Sequence, residues 1–281
     1  MKLIADSGST KTDWILMSSS GVRYDFKSEG INPFFHTPDT VAKTLRATSF
    51  EPFSHADVDE VYFYSAGTSN THNQRIMQEG FRQVFPKAHL ELMHDLLGAA
   101  RALFQHDNGI ACILGTGSNS CLYIDDKITM NLGGHGYILG DEGSGMHIGR
   151  KVLRDFMSDL MPEDIKELFD KEFGLSKDEI SFSVYKKTFP NRYLASFSVF
   201  VQKYVDHPYF AALVDDAFSK FLDRYILQYP DYTDYPIRVL GSIGYYFEPE
   251  LNKCAAERDL SIDHIIKSPI EGLLKFHSDG L

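Results

Sequence analysis

The sequence has few cysteines and no long apolar run. Three cysteines, Cys112, Cys121 and Cys254, occur among 281 residues, and none of them forms a C-x-x-C pair. This supports neither a disulfide framework nor a thiolate zinc site. No stretch approaches the roughly 18 consecutive apolar residues of a membrane helix. The N-terminal apolar run is too short for a signal peptide. We therefore expect a cytoplasmic protein with no membrane partner.

A basic surface for nucleic acid is also missing. The chain has 39 acidic and 28 basic residues, a formal net charge of −11, and no basic stripe. Such a protein repels the phosphate backbone, so we expect no nucleic-acid partner. A phosphate-binding site in this chain would need local backbone amides, a metal ion or particular cations to overcome the overall field.

Two nucleotide-binding fingerprints are absent. The pattern G-x-x-x-x-G-K-[ST] does not occur, and neither glycine cluster fits G-x-G-x-x-G. P-loop and dinucleotide sites therefore lack support. No low-complexity linker divides the chain either, although its length allows roughly two domains.

What the sequence does contain is an internal duplication. An apolar strand leads into the turn "DSGST" at residues 6–10, followed by a second strand, a hairpin and an alternating strand. The same order recurs from Gly109, where the turn reads "GTGSN", and the alignment places Gly8 opposite Gly117. Each turn alone is most simply a tight turn. Together they suggest two related domains whose anion-binding hairpins could face each other across a cleft.

The pattern between and after the repeats predicts an α/β fold. We expect strands at 61–65, 90–93 and 237–240, helices at 73–84 and 96–104, and mainly helix after residue 143. Ser176 with Glu179 resembles a capping box, and apolar residues from 210 to 225 trace one helix face. We expect two domains, 1–107 and 108–267, with a C-terminal helix, 268–281, that packs on the first.

Six segments, in order, carry a family resemblance: "DSGSTKTDW", "GIN", "HDLLGAA", "ILGTGSNS", "GGHGYILGDEGSG" and "VLGSIGYYF". They resemble the N-acetylglucosamine kinase-like branch of the sugar kinase, heat-shock protein and actin superfamily, which includes the BadF/BadG/BcrA/BcrD ATPases. "GTGSN" followed by "GDEGSG" is the specific part. The resemblance implies two duplicated ribonuclease-H-like lobes with mixed β-sheets, and ATP and a sugar in a cleft between them.

The resemblance also implies which residues bind ATP. Its phosphates would contact the two hairpins, at Gly8, Ser9, Thr10, Lys11, Thr116, Gly117 and Ser118. Its adenosine would contact the loop Gly241, Ser242 and Gly244. The family usually has glycine at Ser7 and Ser9, so the phosphate approach is more crowded here. Asp6, at a strand end, could hold Mg²⁺ through water or merely cap the turn.

The remaining site residues have two interpretations each. The resemblance makes Asp95 the catalytic base, whereas its position before a helix is typical of an N-cap. Asn32 is either a sugar contact or a turn residue before Pro33. The resemblance places Gly134, His135 and Gly136 in a sugar-binding loop and makes Asp141 an acceptor for sugar hydroxyls. Asp141 and Glu142 could instead be an acidic pair at a helix N-terminus.

The resemblance implies an ATP- and Mg²⁺-dependent kinase of an amino sugar, most closely N-acetylglucosamine at its 6-hydroxyl. Another N-acetylhexosamine or N-acetylmuramic acid is an alternative acceptor. An ATPase that activates a reductase or dehydratase is a second alternative, but the cysteines give poor support to the iron–sulfur cluster of such proteins. A sugar-sensing module is a third. The oligomeric state is left open, with a homodimer as one option.

Overall fold

The computed structural model describes residues 1–8, 11–51, 53–68 and 70–278. The predicted phosphate contacts Ser9 and Thr10 lie outside the described residues. The chain divides into two compact units, one formed by Met1–Asp107 with Ser268–Leu281 and the other by Asn108–Lys267.

The described residues form ten strands and thirteen helices. The strands are β1 Lys2–Ser7, β2 Lys11–Met17, β3 Arg23–Glu29, β4 Glu60–Ser65, β5 His89–His94, β6 Gly109–Leu114, β7 Ser118–Ile124, β8 Lys127–Gly133, β9 Ile237–Leu240 and β10 Ile262–Ile266. The helices are α1 Pro38–Ala47, α2 Thr71–Arg82, α3 Asp95–Phe104, α4 Gly136–Leu139, α5 Gly145–Met157, α6 Glu163–Phe173, α7 Lys177–Tyr185, α8 Pro190–Ser196, α9 Ser198–Lys203, α10 Pro208–Arg224, α11 Ser242–Tyr246, α12 Glu248–Ala256 and α13 Ile270–Ser278.

The first unit is built on a five-stranded mixed sheet with the order β3-β2-β1-β4-β5. β1, β2 and β3 form an antiparallel meander, whereas β4 and β5 run parallel to β1. Leu3, Ile4 and Ala5 of β1 are all fully buried, which is expected of a central strand covered on both faces. Trp14 of β2 packs edge-on against Phe50, with ring centroids 5.6 Å apart.

The second unit repeats this sheet with the order β8-β7-β6-β9-β10. β6, β7 and β8 form the antiparallel meander, and β9 and β10 are the parallel strands. Asp125 and Asp126 connect β7 to β8, both at positive φ (49° and 63°), as a tight two-residue hairpin requires. Helices α4 to α10 are inserted between β8 and β9. Their core is rich in aromatic rings, including Phe169, Phe197, Phe200 and Phe210.

The predicted fold class is confirmed, since both units carry the same five-stranded mixed sheet. The strands predicted at 61–65, 90–93 and 237–240 are present, and Ser176 forms the predicted capping box with Glu179. No helix in the described part of the chain is both long enough and apolar enough to cross a membrane.

The alignment of the two hairpin turns was wrong by two residues. The last paired residues are Ser7 with Thr12 in the first unit and Leu114 with Ser118 in the second. The N–H of Gly8 donates across its turn to Lys11 O, and that of Gly115 donates to Gly117 O, both at 3.0 Å. Gly8 therefore corresponds to Gly115. The sequence alignment matched the Gly-Ser pairs by residue type, whereas strand pairing places Ser118 in β7 and not in the turn.

Candidate functional site

Polar side chains gather at the carboxyl edge of the parallel strands in the first unit. β1 ends at Ser7, β4 at Ser65 and β5 at His94. The strand register places Ser65 between Ser7 and His94. The carboxyl ends of strands in open α/β sheets are where ligands usually bind. This edge is therefore the candidate site of the first unit.

Asp95 follows this edge directly and is the first residue of α3. The N-cap of α3 is His94, whose Nδ1 lies 3.2 Å from the N–H nitrogen of Leu96 and 3.0 Å from Asp95 Oδ1. Burial lowers the pKa of His94, but the contact with Asp95 outweighs it and leaves the pKa above its usual value. The N-cap interpretation of Asp95 was therefore wrong. Its side chain is 30% exposed, and its Oδ1 faces His94 Nδ1.

Asp6 lies close enough to Asp95 for their charges to interact. Burial, followed by the charges of Asp95 and Asp13, raises the pKa of Asp6 to about 7, while Lys11 opposes the shift. Lys11 Nζ donates to Asp13 Oδ2 at 2.6 Å, so this predicted phosphate contact already has an anionic partner. The unit therefore presents two neighbouring carboxyls whose repulsion a bound cation would relieve.

Asn32 is buried in the same unit, beside Gly67. Its Oδ1 accepts from the N–H of Phe34 at 3.0 Å, as a turn residue does. A Cβ on Gly67, which has a φ of +82°, would lie 2.8 Å from that oxygen. The turn interpretation thus holds for Oδ1. The amide nitrogen Nδ2 has no hydrogen-bond partner among the described residues, so it remains available to a ligand.

In the second unit, the turn between β6 and β7 offers free backbone amides. Its carbonyls are used, since Gly115 O accepts from the N–H of Gly145 at 2.9 Å and Thr116 O accepts from that of Met146 at 3.1 Å. The N–H groups of Thr116 and Gly117 have no hydrogen-bond partner in the part of the chain that the structure describes. Successive free amides of this kind form an anion-binding nest.

Asp141 lies against this turn. Its Oδ1 accepts from the N–H of Ser118 at 3.3 Å, and a Cβ on Gly117 would lie 2.9 Å from its Oδ2. Burial raises the pKa of Asp141, and the Ser118 N–H only partly opposes this. The acidic helix-terminus interpretation was wrong, because α5 begins at Gly145 and is capped by Ser144. The structure thus joins a predicted sugar contact to the predicted phosphate turn.

The loop after β9 packs against the same turn. Gly241 has a φ of +125°, and a Cβ there would lie 2.3 Å from Leu114 O and 3.2 Å from the Gly115 nitrogen. Gly244 is equally confined, since its Cβ would lie 2.6 Å from Val239 Cγ1. Close backbone packing therefore accounts for both glycines. Ser242 is exposed at the start of α11.

The loop at Gly134, His135 and Gly136 is exposed and leads into α4. Gly134 packs on the side chain of Asn119, where a Cβ would lie 2.8 Å from Nδ2. The charge of His135 lowers the pKa of Asp141 slightly, which places the two groups in one neighbourhood. The structure thus brings this loop, Asp141 and the β6–β7 turn together in one unit.

Sequence reasoning missed a buried polar network behind this turn. Glu142 is buried and accepts hydrogen bonds from Tyr225 Oη and, at 2.6 Å, from Arg224 Nη1. Its backbone oxygen accepts from Ser118 Oγ at 2.7 Å. Although burial raises the pKa of Glu142, these partners leave it below its usual value. No local motif could have revealed partners more than 80 residues away in the chain.

Two units with the same mixed sheet, each with a polar first turn, define the class of this protein. The fold is that of the sugar kinase, heat-shock protein and actin superfamily. Within it, a family model described as the BadF/BadG/BcrA/BcrD ATPase family matches residues 5–199. The chain belongs to this family, and membership implies the use of ATP.

Solved structures place the chain more closely. A candidate N-acetylglucosamine kinase from Porphyromonas gingivalis is 39% identical, with a TM-score of 0.93 over 100% of this chain and 99% of that one. A second, from Chromobacterium violaceum, is 19% identical, with a TM-score of 0.76 over 98% of both chains. The ethanolamine utilization protein EutJ from Carboxydothermus hydrogenoformans is 13% identical, with a TM-score of 0.55 over 97% of this chain and 86% of that one. The last two show the fold alone. Among curated proteins, no relative matches the chain.

Proposed function

We propose that this protein is an ATP-dependent amino-sugar kinase that transfers the γ-phosphoryl group of ATP to the 6-hydroxyl of N-acetylglucosamine. The observation that carries the proposal is the pair of free N–H groups at Thr116 and Gly117, with the Asp141 carboxyl beside them. The 39% identity over the whole chain with a candidate N-acetylglucosamine kinase supports this acceptor.

The β6–β7 turn fits the phosphates of ATP. Two adjacent amides donate to an anion without a side chain between them, because Gly117 has none. Amides placed in this way act on the charge that spreads over the phosphoryl oxygens during transfer. In the first unit, Gly8 and Lys11 are the proposed phosphate contacts, with Lys11 exchanging Asp13 for a phosphate. Gly241 and Ser242, beside the turn, would contact the adenosine.

Asp95 is the proposed general base. It would accept the proton of the sugar hydroxyl as that oxygen attacks the γ-phosphorus. His94 would hold the carboxyl in place through their 3.0 Å contact. Because phosphoryl transfer depends mainly on positioning and charge neutralisation, we assign to this base roughly 10²- to 10⁴-fold of the rate.

Asp6 and Asp95 fit the requirements of Mg²⁺. Burial raises the pKa of Asp6 and the charge of Asp95 raises it further, so the two carboxyls lie in one neighbourhood. Mg²⁺ usually binds through one or two carboxylates together with water and substrate phosphates. When bound, the ion would neutralise phosphate charge.

The sugar would be recognised by polar groups that the protein leaves available. Asn32 Nδ2 would donate to the sugar, and Asp141 would accept from its hydroxyls. In the second unit, Gly134, His135 and Gly136 would contact the sugar beside Asp141 from their exposed loop. The alternative role, an ATPase with a shared iron–sulfur cluster, gains no support, because Cys112, Cys121 and Cys254 are all buried.

A sugar panel tests the proposal. ADP release is measured in a coupled assay with ATP and Mg²⁺, with N-acetylglucosamine, glucosamine, N-acetylmannosamine, N-acetylmuramic acid, or no sugar. We expect release to depend on sugar and to be fastest with N-acetylglucosamine, with the product identified by mass spectrometry as the 6-phosphate. Release that is equally fast without any sugar would contradict the kinase assignment and favour an ATPase.

A further inference from the structure

A cavity lies within the second unit, and its lining includes none of the residues proposed above for ATP or sugar. It has a volume of about 650 Å³ and is enclosed by α5, α7, α8 and α10. Five basic and only two acidic side chains line it, namely Arg150, Lys151, Arg154, Lys220 and Arg224 against Glu142 and Asp216. In a protein with a net charge of −11, this concentration of positive charge is local and unusual.

The helices align these cations in two rows. Arg150 and Arg154 are four residues apart on α5, and Lys220 and Arg224 are four apart on α10, so each pair lies on one helix face. Both rows contribute to the lining of one cavity. A ligand inside it would therefore meet cations from two helices.

The two carboxylates do not neutralise all of these cations. Asp216 pairs with Lys151 and, at 2.7 Å, with Lys220. Glu142 pairs with Arg224 at 2.6 Å. Arg150 and Arg154 contact neither of them.

The two arginines of α5 retain free donors. Arg150 Nη1 donates to Tyr137 O at 2.6 Å, and Arg154 contacts Asp155 Oδ1 at 3.3 Å through Nε and Nη2. The other N–H groups of both guanidiniums have no partner among the described residues.

His147 adds a neutral donor to the same lining. Its Nδ1 accepts from the N–H of Gly143 at 3.0 Å, which assigns the ring proton to Nε2. Burial, and then the charges of Arg150 and Lys151, lower the pKa of His147 to about 4, so the ring is neutral at pH 7. Nε2 has no partner within the described ranges. The cavity thus combines charged and neutral donors, and several of their N–H groups have no acceptor among the described residues.

One wall of the cavity is apolar. Leu153 and Met157 of α5, Ile180 and Val184 of α7, and Leu194 of α8 contribute to it. An inorganic anion would leave this wall in contact with water. A ligand that carries an apolar group beside its negative charge would cover it.

We propose that this cavity is a second binding site, for a small organic anion in which a phosphate ester or carboxylate is joined to an apolar group. The arginine guanidiniums match phosphate and carboxylate oxygens in geometry as well as in charge. Partial enclosure strengthens the attraction relative to an exposed cationic surface.

Isothermal titration calorimetry with the full chain tests this site. Phenyl phosphate and benzoate serve as the two anionic probes, benzyl alcohol as the neutral control and inorganic phosphate as the control without an apolar group. We expect at least one anionic probe to bind at a single site, more tightly than either control, and more weakly as NaCl is raised. Absence of binding by both anionic probes at millimolar concentration would overturn the proposal.

Variants locate the binding. Arg154 and Lys220 have side chains that are 68% and 43% exposed, so Arg154→Gln and Lys220→Gln should fold normally. Each should weaken the anionic probe about tenfold, as expected for the loss of one charge-assisted contact. Arg154→Lys should recover part of the affinity, and Arg75→Gln, an exposed arginine of the first unit, should change nothing.

A steric variant provides an independent check. Ser181→Trp places a large side chain in the lining of the cavity without removing a charge, and should abolish binding. Thermal unfolding confirms that each variant is folded. Binding that survives both Arg154→Gln and Ser181→Trp, but is lost when ATP is added, would assign the anion to the β6–β7 turn and overturn the proposal.

Discussion

The two units have equivalent sheets, but they carry different chemical groups at the equivalent edge of the sheet. In the first unit, Asp6 and Asp95 bring carboxyls to the carboxyl edge, where burial and then the charge of Asp95 raise the pKa of Asp6. In the second, the β6–β7 turn presents the free amides of Thr116 and Gly117, and a hydrophobic residue, Ile113, takes the place of Asp6. Duplication therefore preserved the backbone while the side chains at its edge diverged.

This difference gives the two units different chemistry. A carboxylate edge suits a proton acceptor and a cation, whereas an amide edge suits phosphate. Under the proposed function, Asp95 of the first unit would accept the proton of the sugar hydroxyl, and the free amides of the second unit would bind phosphate. Substitutions at equivalent positions should therefore have unequal effects.

The largest effect is expected at Asp95. Replacing it with asparagine removes the proton acceptor but keeps the shape of the side chain, so kcat should fall roughly 10²- to 10⁴-fold. The measurement is ADP release under saturating ATP and sugar. Asp39→Asn, an exposed aspartate of α1, is the matched control and should retain full activity. If the Asp95→Asn enzyme kept full activity, Asp95 would not be the general base, and the proposed difference in chemistry between the units would be contradicted.

The second effect concerns the stability of the first unit and its dependence on pH. A carboxyl with a raised pKa binds its proton more tightly in the folded state, so its contribution is favourable below its ordinary pKa of 3.8 and is lost as the pH rises through about 7. Asp6→Asn should therefore be more stable than the parent at pH 8, by about 2 kcal/mol once solvent screening is allowed for.

The measurement is urea unfolding of both proteins at pH 8 and pH 5 without divalent ions. The stability advantage of Asp6→Asn should shrink at pH 5, because the parent then recovers its protonated carboxyl. An advantage that is the same at both pH values would mean that the folded protein leaves the pKa of Asp6 near its ordinary value.

The third effect is a difference in stability between glycine substitutions in the two turns, at Gly117 and at Gly8. A Cβ on Gly117 would lie 2.9 Å from Asp141 Oδ2, whereas a Cβ on Gly8 would have no neighbour closer than 3.7 Å. Gly117→Ala should therefore lower the free energy of unfolding by about 1–2 kcal/mol, and Gly8→Ala by less than about 0.5 kcal/mol. Chemical denaturation measures both. Equal losses at the two glycines would show that the turns are equally confined.

The smallest effect is the loss of stability when one capping box in each unit is removed. Ser176 of α7 forms its box with Glu179, and Thr37 of α1 forms one with Thr40, in which the Thr40 N–H lies 3.4 Å from Thr37 Oγ1. Ser176→Ala should cost about 1 kcal/mol, and Thr37→Ala less because its bond is longer. Thermal unfolding of the two variants measures both losses of stability. A larger loss for Thr37→Ala than for Ser176→Ala would contradict the prediction.

Much of the fold could be predicted from local sequence. Apolar runs marked the central strands, the Ser176 and Glu179 spacing marked a helix start, and the repeat of strand, turn and strand indicated two related sheets. The Thr37 box was missed because Thr-x-x-Thr is a weak signal. The alignment of Gly8 with Gly117 was wrong, because turn length is set by strand pairing and not by composition.

The candidate site was less accessible to sequence reasoning. Asp95 carried two interpretations until the structure assigned the cap of α3 to His94. Asp141 appeared to be a sugar contact separate from the phosphate turn, and only folding placed its carboxyl against Gly117. The Glu142 network with Arg224 and Tyr225 joins residues far apart in the chain, so no spacing rule could reveal it.

The sequence by itself determined the class of fold. The spacing of apolar residues in the strands and the residue types in the turns are local features, and both occur twice along this chain. The tertiary structure decided which amides stay free, which carboxyls interact and where cations converge. These properties depend on distances between remote residues and on exclusion of water, and neither is encoded in any single segment.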